Sequence, residues 1–312
     1  MSNMAVTIGS LVMKNPVGVA SGTFGYGSEY EKLIDVHELG ALYTKAVTPE
    51  QRGGNPVPRI AETPCGMLNS IGLANPGLDY FLNATLPKLR KLRCSVIVNV
   101  AGKTLDDYAQ VVEQLGEHAG IHGYEINISC PNVSHGGLAF GTDPKIVEQL
   151  TKKLRAIEET AAVRRNDKRR PLIIKLSPNV TDITEIARAA ESGGADAVSA
   201  INTLIGMIID VTKRKPVLAM KTGGLSGPAI RPVGVAAVYK IKRSVSIPVI
   251  GIGGITNTND ALQYLLAGAD AIQVGTALFN NPYAAHKIIE GIRQFMEENT
   301  ISTVAEIKNL LQ

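Results

Sequence analysis

Short apolar runs and longer amphipathic stretches alternate along this chain. The apolar runs fall at 17–20, 42–45, 96–100, 124–128, 172–176, 197–201, 249–251 and 272–274. Each is short and near-continuously apolar rather than alternating, which predicts strands buried on both faces. Between them the apolar positions change to a helical period. Tyr108, Val112 and Leu115 share one face, and Ile146, Leu150, Leu154 and Ile157 share another. Ile183, Ile186, Ala187 and Ala190 repeat the pattern, as do Ile288, Ile292 and Phe295. Asp143 followed by Pro144 supplies an N-cap and a first-turn proline, and Gly193 and Gly268 stand where helices should stop.

Eight strands, each followed by helical sequence, predict a (β/α)8 TIM barrel as a single domain over 1–312, with a doubly wound open sheet as the alternative. Two stretches, 48–77 and 204–232, are too long for simple connections. Both follow the C-terminal end of a strand, so both are expected as long loops over the active-site face. The basic run at 164–170 precedes a strand instead and reads as a solvated turn.

Composition narrows the class. Lys plus Arg number 32 against 28 Asp plus Glu, a formal charge of +4 that gives no basis for nucleic acid or a membrane surface as partner. No apolar run reaches the length of a bilayer span, and Lys14 and Asn15 interrupt the N-terminal apolar stretch, so neither an anchor nor a signal peptide is expected. Cys65, Cys94 and Cys130 are far apart and odd in number. They suit no disulfide framework, which places the chain in a reducing compartment such as the cytoplasm. A conventional iron–sulfur cluster takes four thiolates, so none is expected in this chain alone, nor another metal.

Barrel active sites lie where strands end, and chemistry-bearing residues gather there. Strand four runs into Asn127, Cys130 and Asn132. A thiol with a pKa of about 8.5 suits a general base for a moderately acidic proton, although free cysteine is most often buried and structural. Cys65, in a long loop over the same face, is a rival, while Cys94 at a strand start reads as structural. His135, on a glycine-rich loop, gives weak support for a Cys–His pair. Asn69, Asn99, Asn127, Asn132 and Asn202 recur at or beyond strand ends; side-chain amides read the alternating donor and acceptor edges of a planar ring. Lys45 ends strand two and Lys175 lies within strand five, and a lysine within an apolar strand calls for an anion. Glycines at 251, 253, 254, 268 and 275 flank strands seven and eight, the usual phosphate cradle of such barrels, whether for a phosphorylated sugar or for flavin mononucleotide.

Taken together, these segments resemble the class 1 dihydroorotate dehydrogenases across essentially the whole chain. The marks are Ala20-Ser21-Gly22, Thr44-Lys45-Ala46-Val47-Thr48, Leu68-Asn69-Ser70-Ile71-Gly72-Leu73, the stretch 127–132, the stretch 173–178, Ala200-Ile201-Asn202-Thr203 and Leu225-Ser226-Gly227. The stretch 132–144, with His135-Gly136-Gly137 and Ala139-Phe140-Gly141-Thr142-Asp143-Pro144, is most similar to the 1B type. Class 2 relatives are expected to carry a serine base and an N-terminal extension.

The resemblance implies oxidation of dihydroorotate to orotate in pyrimidine biosynthesis. Cys130 is then the base at C5. Lys45, Asn69, Ser70, Ile71, Gly72, Leu73, Asn127, Asn132, Asn202 and Thr203 bind the substrate. Ser21, Lys45, Ala46, Asn99, Asn127, Lys175, Ile201 and Gly227 line FMN, with Gly253, Gly254, Gly275 and Thr276 at its phosphate. It further implies a homodimer of this chain joined by two copies of an electron-transfer subunit carrying FAD and a [2Fe–2S] cluster, a heterotetramer that reduces NAD+. The alternatives are a stand-alone 1A enzyme using fumarate, a dihydropyrimidine dehydrogenase-like enzyme, and, from other classes, a flavin-free sugar-phosphate lyase or isomerase or a non-enzymatic barrel.

Overall fold

In the computed structural model, which describes residues 2–129 and 140–312, eight parallel strands close into a barrel. They are β1 (Val17–Val19), β2 (Ala41–Tyr43), β3 (Ser95–Val100), β4 (Gly123–Asn127), β5 (Leu172–Lys175), β6 (Ala197–Ala200), β7 (Val249–Ile252) and β8 (Ala271–Val274). Neighbours pair in sequence order, and β8 returns to β1 through Ile272 opposite Val17. Each expected strand is present, its ends displaced by no more than two residues. Nearly all their residues are buried, because the barrel interior takes one set of side chains and the surrounding helices take the other.

The principal helices are α1 (Leu105–Gly116), α2 (Pro144–Arg165), α3 (Ile183–Ser192), α4 (Arg231–Lys242), α5 (Thr258–Leu266) and α6 (Ala284–Glu298). Local chemistry fixes where they begin. The side chains of Thr104, Asp143, Asp182 and Asn257 accept from first-turn amides of α1, α2, α3 and α5. Asn166, in the left-handed region at φ 50°, ends α2.

The N-terminal end of the barrel is plugged. Val6–Ile8 and Leu11–Met13 form an antiparallel hairpin whose Ile8 and Met13 pack with Tyr43, Ile97, Ile173 and Ile250. Strands of three residues are too short to announce themselves by alternation, and the sequence reading begins the structure only at the strand that follows.

The opposite end carries a second sheet. Ile60–Thr63, Gly66–Asn69, Thr222–Ser226 and Leu204–Met207 make four antiparallel strands, drawn from the stretches 48–77 and 204–232. The central pairing sets Leu68 opposite Leu225 and Asn69 opposite Gly224. The two long connections are therefore one hydrogen-bonded layer. Its outer side leaves Ile60, Ile205, Met207 and, on the adjoining hairpin, Ile209 exposed.

The basic run departs from its expected role as a solvated turn. Helix α2 continues through Arg165, whose Nη2 meets Glu158 Oε1 at 2.6 Å, and the carboxylate of Glu158 is fully buried. Arg170, also buried, donates to Leu115 O at 3.0 Å, Tyr124 Oη at 2.9 Å and His118 O at 2.6 Å. Arg164 and Arg169 form the solvated pairs, with Glu117 and Glu159. A charge run carries no sign of a buried acid earlier on the same helix, so the distinction needs the packing.

Candidate active site at the strand ends

Below the mouth of the barrel lies a polar layer centred on Glu125 of β4, whose exposure is 0%. Its Oε1 accepts from Ser199 Oγ of β6 at 2.9 Å and Gln273 Nε2 of β8 at 2.7 Å. Its Oε2 accepts from Asn99 Nδ2 of β3 at 2.7 Å and lies 3.4 Å from Lys175 Nζ of β5. Burial and this carboxylate push the Tyr43 hydroxyl of β2 upward in pKa. Asn99 Oδ1 and Gln273 Oε1 are buried without a hydrogen-bond partner. The anion that Lys175 calls for thus includes a residue of the chain itself. Glu125, Ser199 and Gln273 were not among the expected site residues; the available signal was a polar residue interrupting each apolar strand.

One turn of the pleat higher, Asn127 ends β4 opposite Lys175 of β5. Asn127 is held on several sides: its carbonyl accepts from Tyr108 Oη at 2.7 Å, and its Oδ1 accepts from Ser129 N at 3.2 Å. Asn202, just beyond β6, donates through Nδ2 to Ser129 Oγ at 2.8 Å and to Asn127 Oδ1 at 3.3 Å. Its own Oδ1 accepts from Thr203 N at 2.8 Å. Asn179 ties the following turn by donating to Thr203 O at 2.9 Å and accepting from Ile205 N at 3.0 Å. The Ala200–Ile201 peptide is cis, and Ile201 N donates to Ile252 O at 2.9 Å.

The second sheet delivers the next group. Asn69 closes its strand, and its Nδ2 reaches Gly224 O at 3.4 Å. Ser70 N donates to Arg59 O, and Ile71 O accepts from Asn55 N. Gly72 has φ +74°, and a Cβ there would lie 2.6 Å from the Asn55 side chain, so the close turn requires glycine. Leu73 then packs on Ala46 and Ala101, anchoring this segment to the ends of β2 and β3. Lys45, beside Ala46, is half-buried, and among the described residues its ammonium has no ion-pair partner.

The glycines divide into two kinds. Gly253 and Gly254 have φ of +125° and +65°, and a Cβ on Gly254 would lie 2.6 Å from Gly227 O. The fold itself needs glycine there. At Gly275 a Cβ would meet nothing nearer than Ala20 Cβ at 3.7 Å, so the chain's own packing leaves room. Bare backbone at Gly275, followed by Thr276 and the single-turn helix Ala277–Asn280, fits close approach by a group from outside the chain. Ser21, half-buried just past β1, borders the same corner, where Ala20 N donates to Val274 O at 2.8 Å.

The structure therefore brings Asn127, Lys175, Asn202 and Thr203 together at the ends of consecutive strands. Asn99 lies deeper, with one amide N–H committed to Glu125 Oε2. Cys130, Asn132 and His135 lie outside the described residues. Cys94 is buried at the N-terminal entry to β3, with its thiol pushed up to about 11 by burial, as a structural cysteine should be. Cys65 is exposed at the turn between Ile60–Thr63 and Gly66–Asn69. Among the described residues no group of three His, Cys, Asp or Glu side chains could hold a metal ion, and no helix is long and apolar enough to cross a membrane.

Comparison with known proteins gives a consistent picture. The family model described as dihydroorotate dehydrogenase matches residues 3–296. The chain is 53% identical over 305 residues to the dihydroorotate dehydrogenase B (NAD(+)), catalytic subunit, of Desulforamulus reducens, covering 98% of this chain and 97% of that one. It is 50% identical over 311 residues to the protein of the same name from Listeria innocua, covering 100% and 99%. Among solved structures, the dihydroorotate dehydrogenase of Eimeria tenella in complex with ferulenol superimposes with a TM-score of 0.79 at 24% identity, covering 98% of this chain and 87% of that one; this likeness shows the fold.

Proposed function

Since the chain belongs to the dihydroorotate dehydrogenase family, we propose that it is a class 1B catalytic subunit that oxidises dihydroorotate to orotate in pyrimidine biosynthesis. The observation that carries this reading is the convergence of Asn127, Lys175 and Asn202 at the ends of β4, β5 and β6, with Cys130 three positions beyond Asn127 in sequence.

Each residue has work that its chemistry suits. Cys130 takes the C5 proton of dihydroorotate as thiolate, a general-base contribution of about 10²–10⁴-fold. Asn69, Asn127, Asn132, Asn202 and Thr203 hold the pyrimidine edges. Asn127 and Asn202 are preorganised for this, since the Asn127 carbonyl and Oδ1 and the Asn202 Oδ1 are already satisfied from within the protein. Lys45 faces the substrate carboxylate, and the turn from Ser70 through Leu73 closes over it, held by Ala46 and Ala101.

The residues present fit FMN, which when bound supplies the acceptor for the hydride from C6. Ser21, Ala46, Asn99, Asn127, Lys175, Ile201 and Gly227 would line it. Gly253, Gly254, Gly275 and Thr276 would take its phosphate on backbone N–H groups, and the spare room at Gly275 supports that placement. Lys175 would offset negative charge on the bound cofactor.

A partner subunit holding FAD and a [2Fe–2S] cluster would carry the electrons on to NAD+, two of each chain making a heterotetramer. The names "B (NAD(+))" and "catalytic subunit" borne by the relatives favour this over a stand-alone enzyme using fumarate. The apolar row Ile205, Met207 and Ile209 gives the chain surface that assembly would cover. Exposed, unpaired Cys65 suits the reducing cytoplasm.

The test is an anaerobic visible spectrum of the purified chain before and after dihydroorotate. A flavin band that bleaches is the expected result. A chain that stays colourless after added FMN overturns the reading.

A further inference from the structure

We propose that Glu125 tunes the redox site: buried against Lys175, its carboxylate offsets the ammonium and sets the net charge that the reduced flavin meets. The inference rests on the FMN reading above and adds to it a residue two positions before Asn127 on β4.

Glu125 sits in a layer that a barrel of this kind ordinarily fills with branched apolar side chains. Here the layer holds Asn99, Glu125, Lys175, Ser199 and Gln273, every one buried. A carboxylate has about four acceptor sites, and all four are occupied by donors from four different strands. The three neutral donors lie at 2.7–2.9 Å and fix the carboxylate. Lys175 Nζ is the loosest partner at 3.4 Å. Among the described residues it meets no other acceptor side chain, so its remaining N–H groups are free for a ligand.

A buried ion pair is a poor device for stability alone, since well-packed apolar residues of similar volume usually serve as well or better. The arrangement instead holds a negative charge beneath a cation that ends its strand at the site. In a low-dielectric interior the two charges act on anything bound above them as a difference. A flavin resting there meets an opposed pair rather than an isolated ammonium, and Glu125 lowers its affinity for electrons relative to Lys175 alone.

The measurement is the FMN midpoint potential of the full chain loaded with FMN, by anaerobic dye equilibration, in wild type, Glu125→Gln, Glu125→Asp, Lys175→Met and the Glu125→Gln/Lys175→Met pair. Glutamine keeps the shape. The orphaned oxygens of Asn99 and Gln273 can turn to accept from its new amide, so the polar layer stays satisfied. Glu125→Gln is expected to raise the two-electron reduction equilibrium at least tenfold, an upward shift of about 30 mV. Glu125→Asp, which keeps the charge, should stay near wild type. Lys175→Met should lower the potential, and adding Glu125→Gln to it should bring the potential back up by a similar factor.

A Glu125→Gln potential within threefold of wild type, about 14 mV, would overturn the proposal and leave Glu125 a packing residue. If the single glutamine variant does not fold, Lys175→Met against the double variant decides the same question, because the double variant has neither charge; coinciding potentials overturn the proposal. A wild-type chain that takes up no FMN sinks the functional reading and this one with it. An FMN-loaded wild type whose potential ignores Glu125 sinks this one alone.

Discussion

Asn202 Nδ2 reaches across β5 to donate to Asn127 Oδ1 at 3.3 Å, joining the ends of β4 and β6 above Lys175. The same amide holds Ser129 Oγ at 2.8 Å. Truncating Asn202→Ala removes this amide and releases Asn127 together. Orotate should bind about 10–100-fold more weakly to the FMN-loaded chain, the loss of one or two hydrogen bonds in a water-poor site. Unchanged orotate affinity by titration would remove Asn202 from the substrate site.

Cys130→Ser addresses the proton rather than the binding. With a far less acidic hydroxyl in place of the thiol, flavin reduction by dihydroorotate should slow about 10²–10⁴-fold in stopped flow, while the orotate dissociation constant moves less than about tenfold. For the wild type, the reduction rate should climb with pH toward the thiol pKa, because only the thiolate accepts the proton. A flat profile argues against thiolate as the base.

The glycines make opposite predictions at neighbouring loops. Gly275→Ala places its Cβ 3.7 Å from Ala20, an ordinary contact, so the melting temperature of the apo chain should hold within about 2 °C while FMN binds at least about tenfold more weakly. Gly254→Ala forces a Cβ to 2.6 Å from Gly227 O at φ +65° and should destabilise the apo chain by about 1–3 kcal/mol. Thermal denaturation with FMN titration reads both. Equal effects of the two substitutions on apo stability would remove the distinction.

The basic run should divide in the same way. Arg170→Ala abandons three buried acceptors, Leu115 O, His118 O and Tyr124 Oη, and should cost about 2–4 kcal/mol in urea unfolding. Arg164, half-exposed beside Glu117, should cost no more than about 0.5 kcal/mol on truncation.

Thiol labelling followed by peptide mapping separates the cysteines. Cys65 is exposed and should react within minutes at pH 8. Cys94, with its thiol pushed up to about 11 by burial, holds only about one part in a thousand as thiolate at that pH. It should label only on unfolding. Labelling of Cys94 at the rate of Cys65 in the native chain would show that β3 opens at its N-terminal entry.

Sequence by itself determined the barrel. Strands buried on both faces and helices of period 3.6 are local patterns, and their eightfold alternation leaves few ways to close a core. It also singled out Lys45, Asn127, Lys175 and Asn202 as candidates, because a polar residue at the end of an apolar strand stands out along one dimension. Tertiary structure alone decided which of these residues touch. Glu125 meets Ser199 74 residues on and Gln273 148 residues on. Asn69 meets Gly224 across 155 residues, through a sheet whose strands are too short and too far apart to signal their pairing. Arg165 and Arg170 read as solvent-facing until the fold buries Glu158 beside them. Periodicity reports which side of an element is dry; which charge finds which partner depends on closing the barrel, where loops of any length bring distant strands to hydrogen-bonding distance.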